Sequence, residues 1–300
     1  MTTGPILVTG GTGQVGIELR RRSAQVVAPA RSDLDLDDPQ AITAMVASRR
    51  WVAVINAAAY TAVDKAESEV AMAWRINAVA PAILAAETAR RGIPLVQVST
   101  DYVFSGAKSG EYLPDDETGP LGVYGASKLA GEIAVRSANP RHAILRTAWV
   151  ISANGSNFVK TMLRLAAERD HLRVVSDQRG SPTSAADIAD TLLLMAARLS
   201  DPAVQGGTWH FVNGGEATWC ELANAIFAGS ARRGGPAATV EEISTADYPT
   251  AARRPANSRL NTAAIERDFG IRPRPWQDAL DDILGEILDG HSPFATKDKG

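Results

Sequence analysis

The chain has one cysteine, Cys220, in 300 residues, so no internal disulfide can form and a reducing compartment is expected. A single thiol of this kind reads most simply as a small buried hydrophobe. Nor does any uninterrupted apolar run approach the roughly 18 residues of a spanning helix. Met1 leads almost directly into Ile6-Leu7-Val8, without the basic region and long apolar stretch of a signal peptide, and a cytoplasmic location is expected. Net charge is small as well. At −3 it offers no field for nucleic acid or an anionic membrane, and neither is expected as a partner. The four histidines, at 142, 171, 210 and 291, lack ligand spacing, so no metal is expected. Repeats and low-complexity tracts are missing too.

What is present is an ordinary globular composition, 45% hydrophobic and 22% charged. Three hundred residues exceed the usual size of a single core, which points to two unequal domains. Ile6-Leu7-Val8-Thr9 reads as a strand that ends abruptly in Gly10-Gly11-Thr12-Gly13-Gln14-Val15-Gly16, followed by a helix carrying Leu19 and Arg20-Arg21-Arg22. Strand, glycine turn and helix are the setting of a dinucleotide fingerprint, here spaced G-x-x-G-x-x-G at 10, 13 and 16. Glycine permits positive φ in such a turn, and the helix amides point at an anion.

A second strand, Gln25–Ala28, leads to Arg31. A cation beside the adenosine ribose suits a 2′-phosphate, so Arg31 tilts the expected cofactor from NADH towards NADPH. A helix around Ala41–Val46 and a strand, Trp51–Ile55, follow, and the strand ends in Asn56-Ala57-Ala58-Ala59, small residues against which a flat cofactor can lie. Ala66–Arg91 reads as helical, kinked or restarted at Pro81 and closed by Gly92. Leu95–Val98 then delivers Ser99, Thr100 and Asp101 to the same sheet edge, and His142–Arg146 delivers Thr147-Ala148-Trp149.

Strands alternating with helices predict an α/β fold, a doubly wound parallel Rossmann sheet with a smaller, mostly C-terminal substrate domain. Residues 1–148 and 184–212 are assigned to the dinucleotide domain, 149–183 and 213–292 to the second, and 293–300 to a tail. Within the latter part, helices at Ala185–Leu199, near Trp219–Phe227 and about Pro275–Leu288 are expected, with an Arg/Pro-rich segment from Thr250 to Leu260.

The chemistry centres on Tyr124-Gly125-Ala126-Ser127-Lys128. On a helix, residues four apart share a face. An ammonium beside a phenol lowers its pKa from about 10 towards working pH, making Tyr124 a proton donor to a carbonyl under reduction, with Lys128 as its tuner. Ser99 or Thr100 supplies a second hydroxyl. Trp149, at a strand end, is placed to stack on a sugar or base. Arg253 and Arg254 suit a diphosphate.

Taken together these residues resemble the extended short-chain dehydrogenase/reductase family, whose marks are a T-G-x-x-G-x-x-G loop, a serine or threonine after the fourth strand, and Y-x-x-x-K. Four longer segments narrow the resemblance to a branch that reduces dTDP-linked 4-keto-6-deoxy sugars. They are Asn56 to Glu67, Ser99 to Gly106, Asp177 to Thr183 and Ala252 to Leu260. The resemblance implies Tyr124 as proton donor, Lys128 as tuner and holder of the nicotinamide ribose, and Thr100 as hydroxyl partner. It implies Gly13, Gln14 and Val15 at the cofactor phosphates, beside Gly10 and Gly16, with Asp35 and Leu36 flanking the adenine. Ala57, Ala58, Ala59, Tyr60, Thr61 and Val98 would line the cofactor path, and Thr100, Asp101, Trp149 and Arg254 would meet the sugar nucleotide.

Tyr102 stands where related 4,6-dehydratases have an acid/base glutamate, which disfavours dehydration. Some members dimerise through a metal held by acidic residues. Glu18 matches one such position, but Ala186 stands where another acid would be, so a monomer or homodimer without a bridging metal is expected. The competing readings are another nucleotide-sugar reductase or epimerase, and a non-catalytic reductase-like regulatory subunit.

Overall fold

Aliphatic runs without a polar break, such as Leu7-Val8 and Val54-Ile55, are satisfied only where both faces of a strand are covered. The computed structural model describes residues 4–201 and 203–290; His291 and the tail expected at 293–300 lie outside them. The chain begins with β1 (Ile6–Thr9), α1 (Gln14–Arg22), β2 (Val26–Val27), α2 (Pro39–Ala47) and β3 (Ala53–Asn56). Next come α3 (Val63–Ala66), α4 (Val70–Trp74), a π-helical turn (Arg75–Val79) and α5 (Ala80–Arg90), then β4 (Leu95–Thr100), α6 (Val123–Ala138) and β5 (His142–Thr147). The remainder comprises β6 (Val150–Ile151), α7 (Phe158–Ala166), β7 (His171–Val175), β8 (Arg179–Gly180), β9 (Thr183–Ser184) and α8 (Ala185–Leu199). It ends with β10 (Gly207–His210), β11 (Ala217–Thr218), α9 (Trp219–Arg232), β12 (Thr239–Ile243), α10 (Ala263–Phe269) and α11 (Trp276–Leu288).

Six strands pair in the order β10-β5-β4-β3-β1-β2, all parallel. The winding reverses between β1 and β3, and the crevice at the carboxyl ends there is where such sheets bind ligands. A polar ladder crosses those ends. Thr9 Oγ1 donates to Asn56 Oδ1, and Asn56 Nδ2 donates to Gln97 Oε1 at 2.7 Å.

Each face of the sheet has its own apolar layer. Leu19 of α1, Ile188, Leu192 and Met195 of α8, and Phe269 of α10 cover one face. Ile42 of α2, Leu84 of α5 and Val135 of α6 cover the other. A separate core joins α7, α9 and α11 to β7 and contains the buried Cys220. β7 pairs in parallel with β12, and this pair belongs to the smaller core rather than to the main sheet.

The helical stretch restarts at Pro81, which stands in the first turn of α5. It widens into the π turn, because the carbonyl that Pro81 has no N–H to meet is that of Asn77. Residues Val70–Arg90 are long and apolar enough by composition to cross a membrane, yet Ala73, Ala78, Leu84, Ala85 and Thr88 are buried in the protein.

Candidate active site

One cavity of about 830 Å³ runs from the glycine turn, past β4 and α6, to Trp149, a size suited to a large organic ligand. At its first end Gly10 has φ +75°, and a Cβ there would lie 2.8 Å from the Ala58 backbone. Gly13 caps α1 with no side-chain hydrogen bond, so the first-turn amides of α1 are open to an anion. Gln14 and Val15 line the wall beside them, and Arg31, Asp35 and Leu36 continue it. Arg31 is exposed, its guanidinium 3.8 Å from the Asp35 carboxylate. The opposite wall holds Ala57, Ala58, Ala59, Tyr60, Thr61 and Val98. Gly16, expected beside the phosphates with Gly13, Gln14 and Val15, does not line the cavity. A Cβ at 16 would be 2.1 Å from Gly10 O, so this glycine lets α1 close onto the turn.

At the cavity's middle stand Ser99, Thr100, Asp101, Tyr102, Tyr124 and Lys128. Thr100 leaves the end of β4 and forms a hydrogen bond with the Tyr124 phenol, while its Oγ1 lies 2.9 Å from Asp101 Oδ1. Ser99, the other candidate hydroxyl, is buried and its Oγ has no hydrogen-bond partner among the described residues. Tyr102 meets Tyr124 edge-on, with ring centroids 5.5 Å apart.

The electrostatics differ from the expectation. Burial pushes the Tyr124 phenol up to about 12, opposed by the Thr100 hydrogen bond, instead of towards working pH. Lys128 cannot offset this, because its Nζ donates to Val98 O at 2.7 Å and burial pushes its own pKa down to about 8. Desolvation outweighs the neighbouring charge. Asp101, also buried, is pushed up to about 6 despite hydrogen bonds from Ser258 and Thr100. Its Oδ2 has no partner among the described residues.

Three residues that sequence reasoning did not single out hold this arrangement. Glu67 Oε1 accepts the Val123 amide at 2.9 Å and so caps α6, the helix that carries Tyr124 and Lys128, from a distant segment. Asn77, in the π turn, accepts from Tyr60 N at 2.8 Å and donates to Tyr60 O and Ser127 Oγ. It thereby ties the cofactor-side wall to α6. Pro81, which forces the wide turn, was the available signal. Asp64 accepts from Ala252 N at 3.1 Å and from Arg254 Nη2 at 2.8 Å.

That last pair holds Arg254 on the Asp64 carboxylate, beside the cavity rather than on its wall, within electrostatic reach of Tyr102. Trp149 does reach the wall, but one face of its indole is taken by Trp219, at 3.6 Å between centroids and 10° between planes, and cannot also stack on a ligand. Glu18 is buried and accepts from Arg21, Arg22 and Asn154. Ala186 lines the crevice next to it. His142 and His210 are buried near Asn139 O and Tyr112 O respectively.

Comparison with known proteins gives a consistent picture. The family profile described as RmlD substrate binding domain matches residues 4–288. A dTDP-4-dehydrorhamnose reductase of Sinorhizobium fredii is 43% identical over 288 residues, covering 94% of this chain and 97% of that one. A dTDP-4-dehydrorhamnose reductase structure from Clostridium acetobutylicum superposes with a TM-score of 0.87 at 36% identity, over 93% of this chain and 98% of that one. One from Bacillus anthracis in complex with NADP gives 0.88 at 32% identity, over 95% and 100%.

Proposed function

The chain belongs to the RmlD substrate-binding-domain family, and from that membership we propose that it is an NAD(P)H-dependent dTDP-4-dehydrorhamnose reductase. It reduces the C4 ketone of dTDP-6-deoxy-L-lyxo-4-hexulose to give dTDP-L-rhamnose. The observation that carries the reading is the continuity of one cavity from Gly13 at the N-terminus of α1 to Tyr124 and on to Trp149.

The cofactor end fits a dinucleotide. Gly10 brings backbone against backbone, the uncapped start of α1 offers amides to a pyrophosphate, and Arg31 stands where a ribose 2′-phosphate would lie. Ala57, Ala58, Ala59, Tyr60, Thr61 and Val98 flank the remaining length. The bound dinucleotide supplies a hydride.

The chain's own residues handle the oxygen. Thr100 and Tyr124 direct hydroxyls at the substrate ketone, and as negative charge grows on that oxygen Tyr124 releases its proton to it. A phenol held near 12 by burial is fully protonated at neutral pH, so the donor is always loaded. It remains a stronger acid than the sugar alcohol it creates, so the transfer runs downhill. Lys128 stands one turn along the same helix face, its ammonium held on Val98 O at the cavity wall, where it would hold the nicotinamide ribose. Asp101 and Trp149 border the sugar end, and binding of the remote nucleotide holds the ketone in register. The lone buried Cys220 fits a reducing compartment, and the reading takes the enzyme as a cytoplasmic monomer or homodimer.

The test generates the keto sugar from dTDP-glucose with a 4,6-dehydratase and a 3,5-epimerase, adds this protein and NADPH, and follows nicotinamide absorbance and the product sugar. Stoichiometric oxidation with appearance of dTDP-L-rhamnose is the expected result. Turnover only of a different 4-keto sugar nucleotide would replace the substrate assignment.

A further inference from the structure

The run Asp177-Gln178-Arg179-Gly180-Ser181-Pro182-Thr183 takes no direct part in the reaction, yet three of its residues bear on one residue of the cavity wall: Thr183 through its main chain, Gly180 against its ring and Gln178 through a neighbour. Trp149 is the non-glycine residue with positive φ, +48°, among the described residues. An indole in this region of backbone space is disfavoured, and such conformations persist only where the surroundings impose them. Here they do. Thr183 N donates to Trp149 O at 3.0 Å, fixing the main chain. Gly180 leaves the room the ring needs, since a Cβ there would lie 2.6 Å from Trp149 Cε2. Trp219 stacks on the indole, and its own Nε1 donates to Gln178 Oε1 at 3.1 Å. Gln178 is buried and held in turn by Thr245 Oγ1 at 3.0 Å. Phe158 braces Trp219, tilted at 4.7 Å between centroids.

A ring that served only as core would need neither the strained backbone nor a dedicated glycine. We infer that Trp219, Gln178 and Gly180 are positioning residues. Together they lock the Trp149 indole in one orientation, so that the wall facing the sugar nucleotide is formed before the ligand arrives. The inference rests on the reductase reading for the identity of that ligand. Its physical basis is preorganisation: a wall already ordered loses no conformational freedom on binding.

The experiment uses dTDP-L-rhamnose as probe, its Kd measured by calorimetry with NADP⁺ present, together with melting temperature and the circular dichroism couplet that two stacked indoles produce. Trp219→Leu should abolish the couplet and weaken dTDP-L-rhamnose about 5- to 10-fold, the scale of a lost aromatic contact, while the Kd of NADP⁺ alone stays unchanged. Trp219→Phe restores a flat face and should recover most of the affinity without the couplet. Gly180→Ala leaves both indoles in place but should displace the ring, shrinking the couplet and weakening the probe. A Trp219→Leu protein that melts cooperatively, loses the couplet and still binds the probe as wild type does would overturn the inference, as would a couplet that survives Trp149→Phe. Because the probe is read by binding, a wild-type protein that binds it without turnover would sink the reductase reading and leave the positioning claim to be judged by the variants.

Discussion

Lys128 gives its ammonium hydrogen bond to the main-chain carbonyl of Val98, 2.7 Å away on β4, and not to Tyr124, one turn earlier on its own helix. The ammonium is therefore desolvated, and its pKa falls to about 8 although the Glu132 carboxylate pulls the other way.

The sign of the resulting pH dependence follows. Unfolded, the lysine titrates at 10.5; folded, at about 8. Between those values the unfolded chain binds more protons, so stability rises with pH across the window, and the burial penalty is fully present below it. Relative to Lys128→Met, wild type should gain about 3 kcal/mol between pH 8 and 10.5. Denaturant unfolding of both proteins across that range measures it, and a flat difference would mean that the ammonium is not desolvated.

Tyr124→Phe keeps the ring and its edge-on contact with Tyr102 but removes the proton. kcat should fall about 10²- to 10⁴-fold, the usual scale for general acid catalysis. Since the hydroxyl belongs to the chemical step, the affinity for NADPH should scarcely change. Turnover near the wild-type rate would show that another group protonates the product.

Arg31 lies on the cavity wall, mostly exposed, and its one ion pair among the described residues is with Asp35 at 3.8 Å. That weak pairing leaves the guanidinium free to meet a phosphate. Arg31→Ala should lower kcat/KM for NADPH about 10-fold, close to one charge-assisted contact, with little effect on NADH. Equal loss for both cofactors would assign Arg31 to the adenine or to no contact at all.

Behind α6, Arg146 is fully buried and grips Glu132 with two hydrogen bonds of 2.9 and 2.7 Å, while Phe104 lies under the guanidinium. Removing one partner of such a pair strands a buried charge. Glu132→Gln should destabilise the fold by about 3–5 kcal/mol, read by chemical denaturation. A loss below 1 kcal/mol would mean that water reaches Arg146.

How much of this was legible depended on how locally each feature is encoded. Strands β1 to β5 of the main sheet were readable because runs such as Ala53-Val54-Ile55 are apolar throughout and fit no exposed element. The glycine turn and the Tyr124–Lys128 spacing were readable for the same reason, since each lies within a few residues. β7 and β12 were not. His171 and Arg173 of β7, and Thr239, Glu241 and Glu242 of β12, are exposed, so each segment is only half apolar and its strand character comes from pairing with the other. The helix α7 did carry a signal, an Asn157 side chain accepting from Lys160 N, but a single asparagine cap is common in loops. The phenol's high pKa could not be read from Lys128 four residues away, because burial is a property of the assembled site. Arg254 likewise looked free until folding brought Asp64 to it.

That Asp64 link joins positions 188 residues apart in the chain, through the amide of Ala252, with Arg254 alongside. Synthesis at about 5–20 residues per second separates their emergence by roughly 10–40 s. Thr100, Tyr124 and then α8 and β10, which cover and complete the sheet, are all made within that interval. The Asp64 carboxylate therefore meets the 252–254 segment only after the main sheet has its last strand.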